Sequence, residues 1–213
     1  HMSDRNINLS KVNMVVLDEA DTMCDMGFIT DIEKILHHIP KARQNMFFAA
    51  TMQKEIRSLA NNILQDPITI QVGKIAPVKT VSHSIYPVIE SLKKRLILDL
   101  LNCTATGRVI IFTRTKHKAH WLSKHLTKSK YKVAELQGNM SQNRRQQAID
   151  GFRNGKHDIL VATDVASRGI DVSEISHVIN FDMPNSVDDY IHRIGRTGRA
   201  ENVGEAITFT LPE

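Results

Sequence analysis

An α/β fold with a parallel sheet between layers of helices is what this sequence predicts, and three observations carry the prediction. Short apolar runs rich in Val and Ile recur along the 213 residues. Longer amphipathic stretches separate most of them, the order expected when parallel strands are joined by crossover helices. Finally, the composition is that of ordinary globular material, with 41% hydrophobic and 24% charged residues. No apolar run approaches the ~20 residues that a membrane-crossing helix needs, so no membrane partner is expected.

Taken in order, the first strand is expected at 14–17. A helix over 31–38 comes next, with Thr30 and Glu33 spaced as a capping box, and then a strand at 45–48. A second helix over 53–64 and a strand at 68–72 complete the first part. Three strands are few for a self-sufficient sheet of this class. The run from Gly73 to Thr80 has no period and holds a Gly and a Pro, which marks a linker. The expected organisation is therefore residues 1–73, a linker over 74–81, and residues 82–213.

The second part predicts strands at 82–88, 109–112, 133–136, 159–162, 178–181 and 206–210. Helices fill the intervals: 92–101, 116–129 behind Thr115 as N-cap, 142–153 behind Ser141, and 187–194 behind Ser186. Hydroxyl side chains at these positions can accept from the free N–H groups of a helix's first turn. Gly155 reads as the C-cap of its helix. This part is a complete α/β domain. No internal repeat or low-complexity segment is visible.

The net charge of +5 is unevenly placed. Residues 1–73 carry 7 Lys+Arg against 9 Asp+Glu, whereas residues 74–213 carry 21 against 14. A basic second part with only 5% aromatic residues suits contact with a nucleic-acid backbone better than base stacking. Two distant cysteines, Cys24 and Cys103, form neither a zinc cluster nor a disulfide framework and fit a reducing, cytoplasmic setting. His-Glu-x-x-His is absent, which argues against a metal role for the ten histidines. His1-Met2 reads as a cloning scar ahead of a natural sequence that begins inside a longer protein.

The chemistry is concentrated in short motifs. Between Tyr190 and Arg199, the arginines Arg193, Arg196 and Arg199 are spaced by three and interleaved with Gly195 and Gly198. Guanidinium forks bind phosphate oxygens, and glycine lets a backbone approach closely; a solvated basic helix end is the alternative. Upstream lie Val15-Val16-Leu17-Asp18-Glu19-Ala20-Asp21, Ala49-Ala50-Thr51, Ile110 to Thr115, Gly138 with Gln142 and Arg145, and Ala162-Thr163-Asp164 through Arg168-Gly169-Ile170-Asp171. In that order these resemble motifs II, III, IV, IVa, V and VI of the DEAD-box ATP-dependent RNA helicases. The resemblance runs from about residue 14 to residue 210.

Gly-x-x-x-x-Gly-Lys-Ser/Thr, the loop that cradles nucleotide phosphates, does not occur. The run from Gly151 to Lys156 imitates it, but its glycines are one residue too close and His157 stands where Ser or Thr is needed. Helicases of this family have two RecA-like domains. The resemblance therefore implies a complete second RecA-like domain, preceded by the C-terminal remnant of a first, with a gap in the remnant's sheet where the phosphate-loop strand belongs. Open edges there lead us to expect self-association.

The resemblance also implies roles. Asp18 holds Mg²⁺ through water and Glu19 aligns the attacking water. Asp21, Ala49 and Thr51, with His192 and Arg193, belong to the coupling between sites, and Ala49 replaces a family Ser whose hydroxyl takes part. Arg114, Gly138, Gln142, Arg145, Thr163 and Gly169 meet the RNA backbone, Arg114 standing where the family often has Asn. Asp171 faces the nucleotide's ribose, and Arg196 and Arg199 are the finger arginines for the γ-phosphoryl group. ATP, Mg²⁺ and RNA are the expected cofactors and partner of the full-length protein. Two alternatives stay open: a non-enzymatic RNA-binding module, and a helicase of the same superfamily acting on DNA.

Overall fold

Where Val, Ile and Leu run without interruption the chain builds the centre of a sheet, because a strand covered by helices on both faces has no polar side to show. The computed structural model describes residues 6–25, 27–52, 54–72, 80–104, 107–167, 172, 175–198 and 203–212. They fall into two units, His1–Ile75 and Ala76–Glu213.

The second unit runs β3(Val81–Pro87), α4(Glu90–Thr104), β4(Arg108–Phe112), α5(Lys116–Lys128), β5(Val133–Leu136), α6(Gln142–Arg153), β6(Ile159–Ala162), α7(Asp164–Ser167), β7(Ile175–Asn180), α8(Val187–Ile194) and β8(Gly204–Thr210). Its six strands are all parallel, in the order β3-β8-β7-β4-β6-β5. Alternation along each central strand divides the core in two. Val109, Ile111, Ile159, Val161 and Ile179 join one cluster with Ile97, Leu122 and Leu126 of α4 and α5. Ile110, Phe112, Leu160, Ala162 and Val178 join the other with Phe152 of α6 and Ala166 of α7.

All six expected strands form, three of them one or two residues longer than expected and β3 shifted by one residue. Thr115 accepts from the Lys118 N–H at 3.2 Å and Ser186 from the Asp189 N–H at 3.0 Å, as caps. Ser141 occupies the N-cap position of α6 without a side-chain bond. Gly155 takes the left-handed step beyond α6, at φ 77°.

The first unit contains β1(Met14–Leu17), α1(Ala20–Asp25), α2(Ile29–His37), β2(Gln44–Phe47) and α3(Lys54–Ile63). β1 and β2 pair in parallel, Met14 opposite Gln44 and Leu17 opposite Phe47. Ile32, Leu59 and Ile63 form a small core beneath them.

Two expectations are corrected here. The Thr30–Glu33 capping box does not form, because α2 starts at Ile29 with Phe28 as N-cap and no side-chain cap bond. Gly27, at φ 76°, lets the chain turn out of α1 and enter α2 at once, so Thr30 already lies inside the first turn. The run 68–72 is not a strand. Ile68, Ile70 and Val72 are 89%, 81% and 92% exposed, and among the described residues no strand pairs with them. β-branched alternation gives a strand only where a neighbour and a covered face exist. The first unit's sheet therefore has two strands among the described residues, not three. Of the linker expected over 74–81, residues 74–79 lie outside the described residues, and Val81 already belongs to β3. No helix among the described residues is long and apolar enough to cross a membrane.

Candidate functional site

β1 delivers the acidic motif at its C-terminal end. Asp18 and Glu19 are both exposed, and Asp18 Oδ1 accepts the Glu19 N–H at 2.9 Å. Glu19 sits at φ 50°, a left-handed conformation that a residue with a Cβ adopts at a cost of about 1 kcal/mol or more. The next residue fixes the kink, since the Ala20 N–H donates to the Phe48 carbonyl at 3.0 Å just beyond β2.

Asp21 points the other way and is 3% exposed. Its Oδ2 accepts from the Ala50 N–H at 3.1 Å and from Thr51 through both N–H and Oγ1, at 2.9 and 3.2 Å. The acidic motif and the Ala49-Ala50-Thr51 segment are thus one hydrogen-bonded piece inside the first unit. Ala49 is half-buried and has no hydroxyl to offer.

In the second unit, three of the segments singled out from sequence emerge from the C-terminal ends of adjacent strands. Gly138 follows β5, Thr163 follows β6 and Arg114 follows β4, and these strands are neighbours in the order β4-β6-β5. The loops stay pinned as they leave the sheet: the Thr163 N–H donates to Leu136 O at 3.2 Å and the Thr113 N–H to Ala162 O at 2.9 Å. Gly138 has open space where a Cβ would stand, and Gln142 is exposed as the first residue of α6. Arg145, one turn in, donates from Nη2 to the Ala166 carbonyl at 2.7 Å and so ties α6 to α7. The Arg114 side chain is exposed, with Nη2 3.4 Å from Met183 O.

Arg193 on α8 is 2% exposed, and every guanidinium nitrogen is in use. Nε and Nη2 meet Asp164 Oδ1 and Oδ2 at 2.5 and 2.7 Å, a bidentate pair. Nη1 donates to Asn180 Oδ1 at 2.9 Å and to the Asp182 carbonyl at 2.8 Å, and the group lies 5.0 Å from the Phe112 ring centre. The resemblance made Arg193 a relay to the acidic motif. Here each of its three guanidinium nitrogens bonds to a partner in the second unit, as the burial of a charged fork requires. His192, beside it, is half-buried.

The segment after α8 is held equally tightly. The Arg196 N–H donates to Arg193 O at 3.2 Å. Thr197 Oγ1 donates to the Ile175 carbonyl. Gly198 stands at φ 69°, where a Cβ would come within 2.5 Å of Val81, and its carbonyl accepts from Thr80 Oγ1 at 2.7 Å. Arg196, half-buried, is therefore presented from a fixed backbone. Gly169, Asp171 and Arg199 lie outside the described residues.

Sequence reading passed over the charged group around Asp182, just beyond β7 and 5% exposed. Oδ1 accepts from Lys118 at 2.7 Å and Lys93 at 3.3 Å, and Glu90 takes both lysines from outside, at 2.6 and 3.0 Å. Burial alone would raise the Asp182 pKa, but the Arg114 N–H and the two lysines outweigh it and hold it below the usual carboxylate value. Lys118 is shifted up: burial works against its charge, and Asp182 and Glu90 together prevail. The one available signal was a carboxylate placed directly after an apolar strand.

Comparison with known proteins agrees with these motifs. Residues 92–201 match the helicase conserved C-terminal domain family, and residues 1–59 match the DEAD/DEAH box helicase family. The DEAD-box ATP-dependent RNA helicase RhpA of Helicobacter pylori is 42% identical over 213 residues, all of this chain and 43% of that protein. CshA of Geobacillus kaustophilus, another DEAD-box ATP-dependent RNA helicase, is 41% identical over 213 residues and 46% of its length. The chain thus spans less than half of these relatives. Saccharomyces cerevisiae Dbp5, solved bound to RNA and ADP BeF3, matches all of this chain and 56% of its own with TM-score 0.89 and 32% identity. Escherichia coli SrmB, solved bound to the regulator of ribonuclease activity A, matches 61% of this chain and 76% of its own with TM-score 0.57 and 40% identity. With the motifs in order, a parallel six-stranded sheet behind them and relatives aligned over its whole length, the chain belongs to the DEAD-box helicase family.

Proposed function

We propose that these residues are working parts of an ATP-dependent RNA helicase, an activity of the longer protein. Residues 1–73 contribute the C-terminal part of a first RecA-like domain, 74–81 a linker and 82–213 a second RecA-like domain. The division of the chain into units after residue 75 supports that assignment. The observation that carries the reading is the Asp164–Arg193 pair. It joins the strand-end segment Thr163–Asp164, of the kind that meets an RNA backbone, to the helix that presents Arg196.

Arg114, Gly138, Gln142, Arg145, Thr163 and Gly169 follow the RNA backbone by charge and N–H donation, without reading bases. Asp171 holds the ribose of ATP. Arg196 and Arg199 supply charge to the γ-phosphoryl oxygens, and the rigid backbone around Arg196 means that little reorganisation is needed when charge develops. Asp18 fits Mg²⁺ through water: it is an exposed carboxylate with one oxygen committed to the Glu19 N–H. Among the described residues no three carboxylate, His or Cys side chains cluster into a metal cage, and Mg²⁺ commonly takes one or two carboxylates with the remaining ligands from water and phosphates. Bound there, the ion would neutralise phosphate charge. Glu19 would align the attacking water, and Asp21 with Thr51 would keep the acidic strand end in register with its neighbour. The low cysteine count, Cys24 and Cys103 in 213 residues, supports a cytoplasmic setting. The outer edges of β1 and β2, which pair with no strand among the described residues, support self-association of the isolated chain.

ATP turnover by the longer protein, with RNA or DNA added, tests the reading. Stimulation by RNA alone is expected. Equal stimulation by DNA would favour the DNA-directed alternative, and RNA binding without turnover would favour the binding module.

A further inference from the structure

Arg114 reaches solvent from a loop in which its own backbone N–H is held by a buried side chain. Its N–H donates to Asp182 Oδ2 at 3.0 Å, while Asp182 Oδ1 is occupied by Lys118 and Lys93. The main chain of Asp182 is committed as well. Its N–H donates to Phe112 O at 3.3 Å and its carbonyl accepts from Arg193 Nη1 at 2.8 Å. A single buried residue therefore touches both the loop that presents Arg114 and the guanidinium that anchors α8. Beside the loop lies an open groove of ≈ 930 Å³, lined in part by Arg114, Lys118, Met183 and Leu211, which leaves room for a chain next to Arg114.

We propose that Asp182 is a positioning residue for RNA: its carboxylate fixes the loop from which Arg114 meets a backbone phosphate, and its carbonyl joins that loop to the arginine helix through Arg193. This rests on the RNA-binding reading of Arg114 given above. The carboxylate is needed as such. Asparagine has the same shape but only one acceptor oxygen, so it cannot serve both the Arg114 N–H and two lysines, one of which, Lys93, has a side chain only 8% exposed.

The test uses the longer protein and measures ATP turnover against RNA concentration for Arg114→Ala, Asp182→Asn and the double variant. A charged hydrogen bond of ordinary strength corresponds to a rise of about tenfold in the RNA concentration for half-maximal turnover, and this is expected for each single variant. Because both act through one contact, the double variant should be no worse than the weaker-binding single one. The maximal rate of Asp182→Asn should change far less than its half-saturation. A merely structural Asp182 would do the reverse, lowering the yield of active enzyme at unaltered half-saturation, and that result overturns the proposal. Multiplied effects in the double variant overturn it equally. Should Asp182→Asn fail to fold, Lys118→Met, which removes one Oδ1 partner, is expected to raise half-saturation about two- to threefold, and an unchanged value counts against the proposal. If Arg114→Ala and Arg145→Ala both leave half-saturation unaltered, the RNA reading of this edge has failed, and the proposal with it.

Discussion

The two units are built from similar runs of Val, Ile and Leu, yet they end differently. In the second, six parallel strands bury β4 and β6 almost entirely, and charged side chains are fixed over that floor by several partners each. In the first, two strands cover a small core among the described residues, Met14 and Val16 of β1 stay half exposed, and the apolar run 68–72 pairs with no described strand. The difference teaches that apolar pattern makes a strand only when neighbours are present. It also shows which motifs carry fixed geometry: the arginine segment rests on a complete sheet, and the acidic pair on an incomplete one.

The largest stability effect is expected at the clamp of the second unit. Arg193→Met takes the guanidinium away from Asp164 and from Asn180 Oδ1, and removing one partner of a buried ion pair costs about 3–5 kcal/mol. Thermal unfolding followed by Trp121, the single tryptophan and a neighbour of Phe181, reads this unit alone. A loss under 1 kcal/mol would mean that the clamp is not what holds α8.

Native reporters also separate the units. Cys24 is half-buried in the first unit and Trp121 lies in the second. In a Cys103→Ser background, Cys24 should become reactive at roughly 1 M less urea than the concentration at which Trp121 emission changes, as fits its smaller core. Coincident transitions would show that the two units unfold as one.

Acidity sharpens the comparison further. Asp182 and Glu90 are held below their ordinary pKa values. The stability they give is present above the unfolded carboxylate values near ~4 and is lost as pH falls through their folded ones. Lys118, shifted up, contributes fully below its unfolded value near ~10.4, and that contribution goes as pH rises past its folded one. Between about pH 5 and 9 the second unit should therefore show little pH dependence from this cluster. In Asp182→Asn most of the acid-side slope should disappear, as Trp121-monitored unfolding between about pH 3 and 5 can check. The smallest effect is expected in the first unit, where Ile70→Ser should shift stability by no more than about 0.5 kcal/mol, as for other surface changes. A larger loss would mean that the 68–72 run packs somewhere after all.

Legibility followed the same divide. The strands of the second unit were visible because continuous burial leaves a continuous apolar run. Thr115 and Ser186 were visible as caps because capping is local. The helices α1 and α7 were missed, since six and four residues are too few to show a helical period. Arg193 stood out as one of three spaced arginines, but its partners did not, lying 29, 13 and 11 residues away in sequence. The Asp182 group joins residues of α4, α5 and the end of β7, which only the folded sheet brings together.

Arg196, which under the proposed function works in an RNA-stimulated ATPase, is where that proposal is most exposed to test. In the longer protein, Arg196→Lys keeps the charge and loses the planar fork. RNA-stimulated ATP turnover should fall at least about tenfold, a loss of ~1.4 kcal/mol in barrier stabilisation, with ADP affinity little changed. Near-normal turnover would contradict that role and leave Arg196 as a contributor to the fold or to RNA binding.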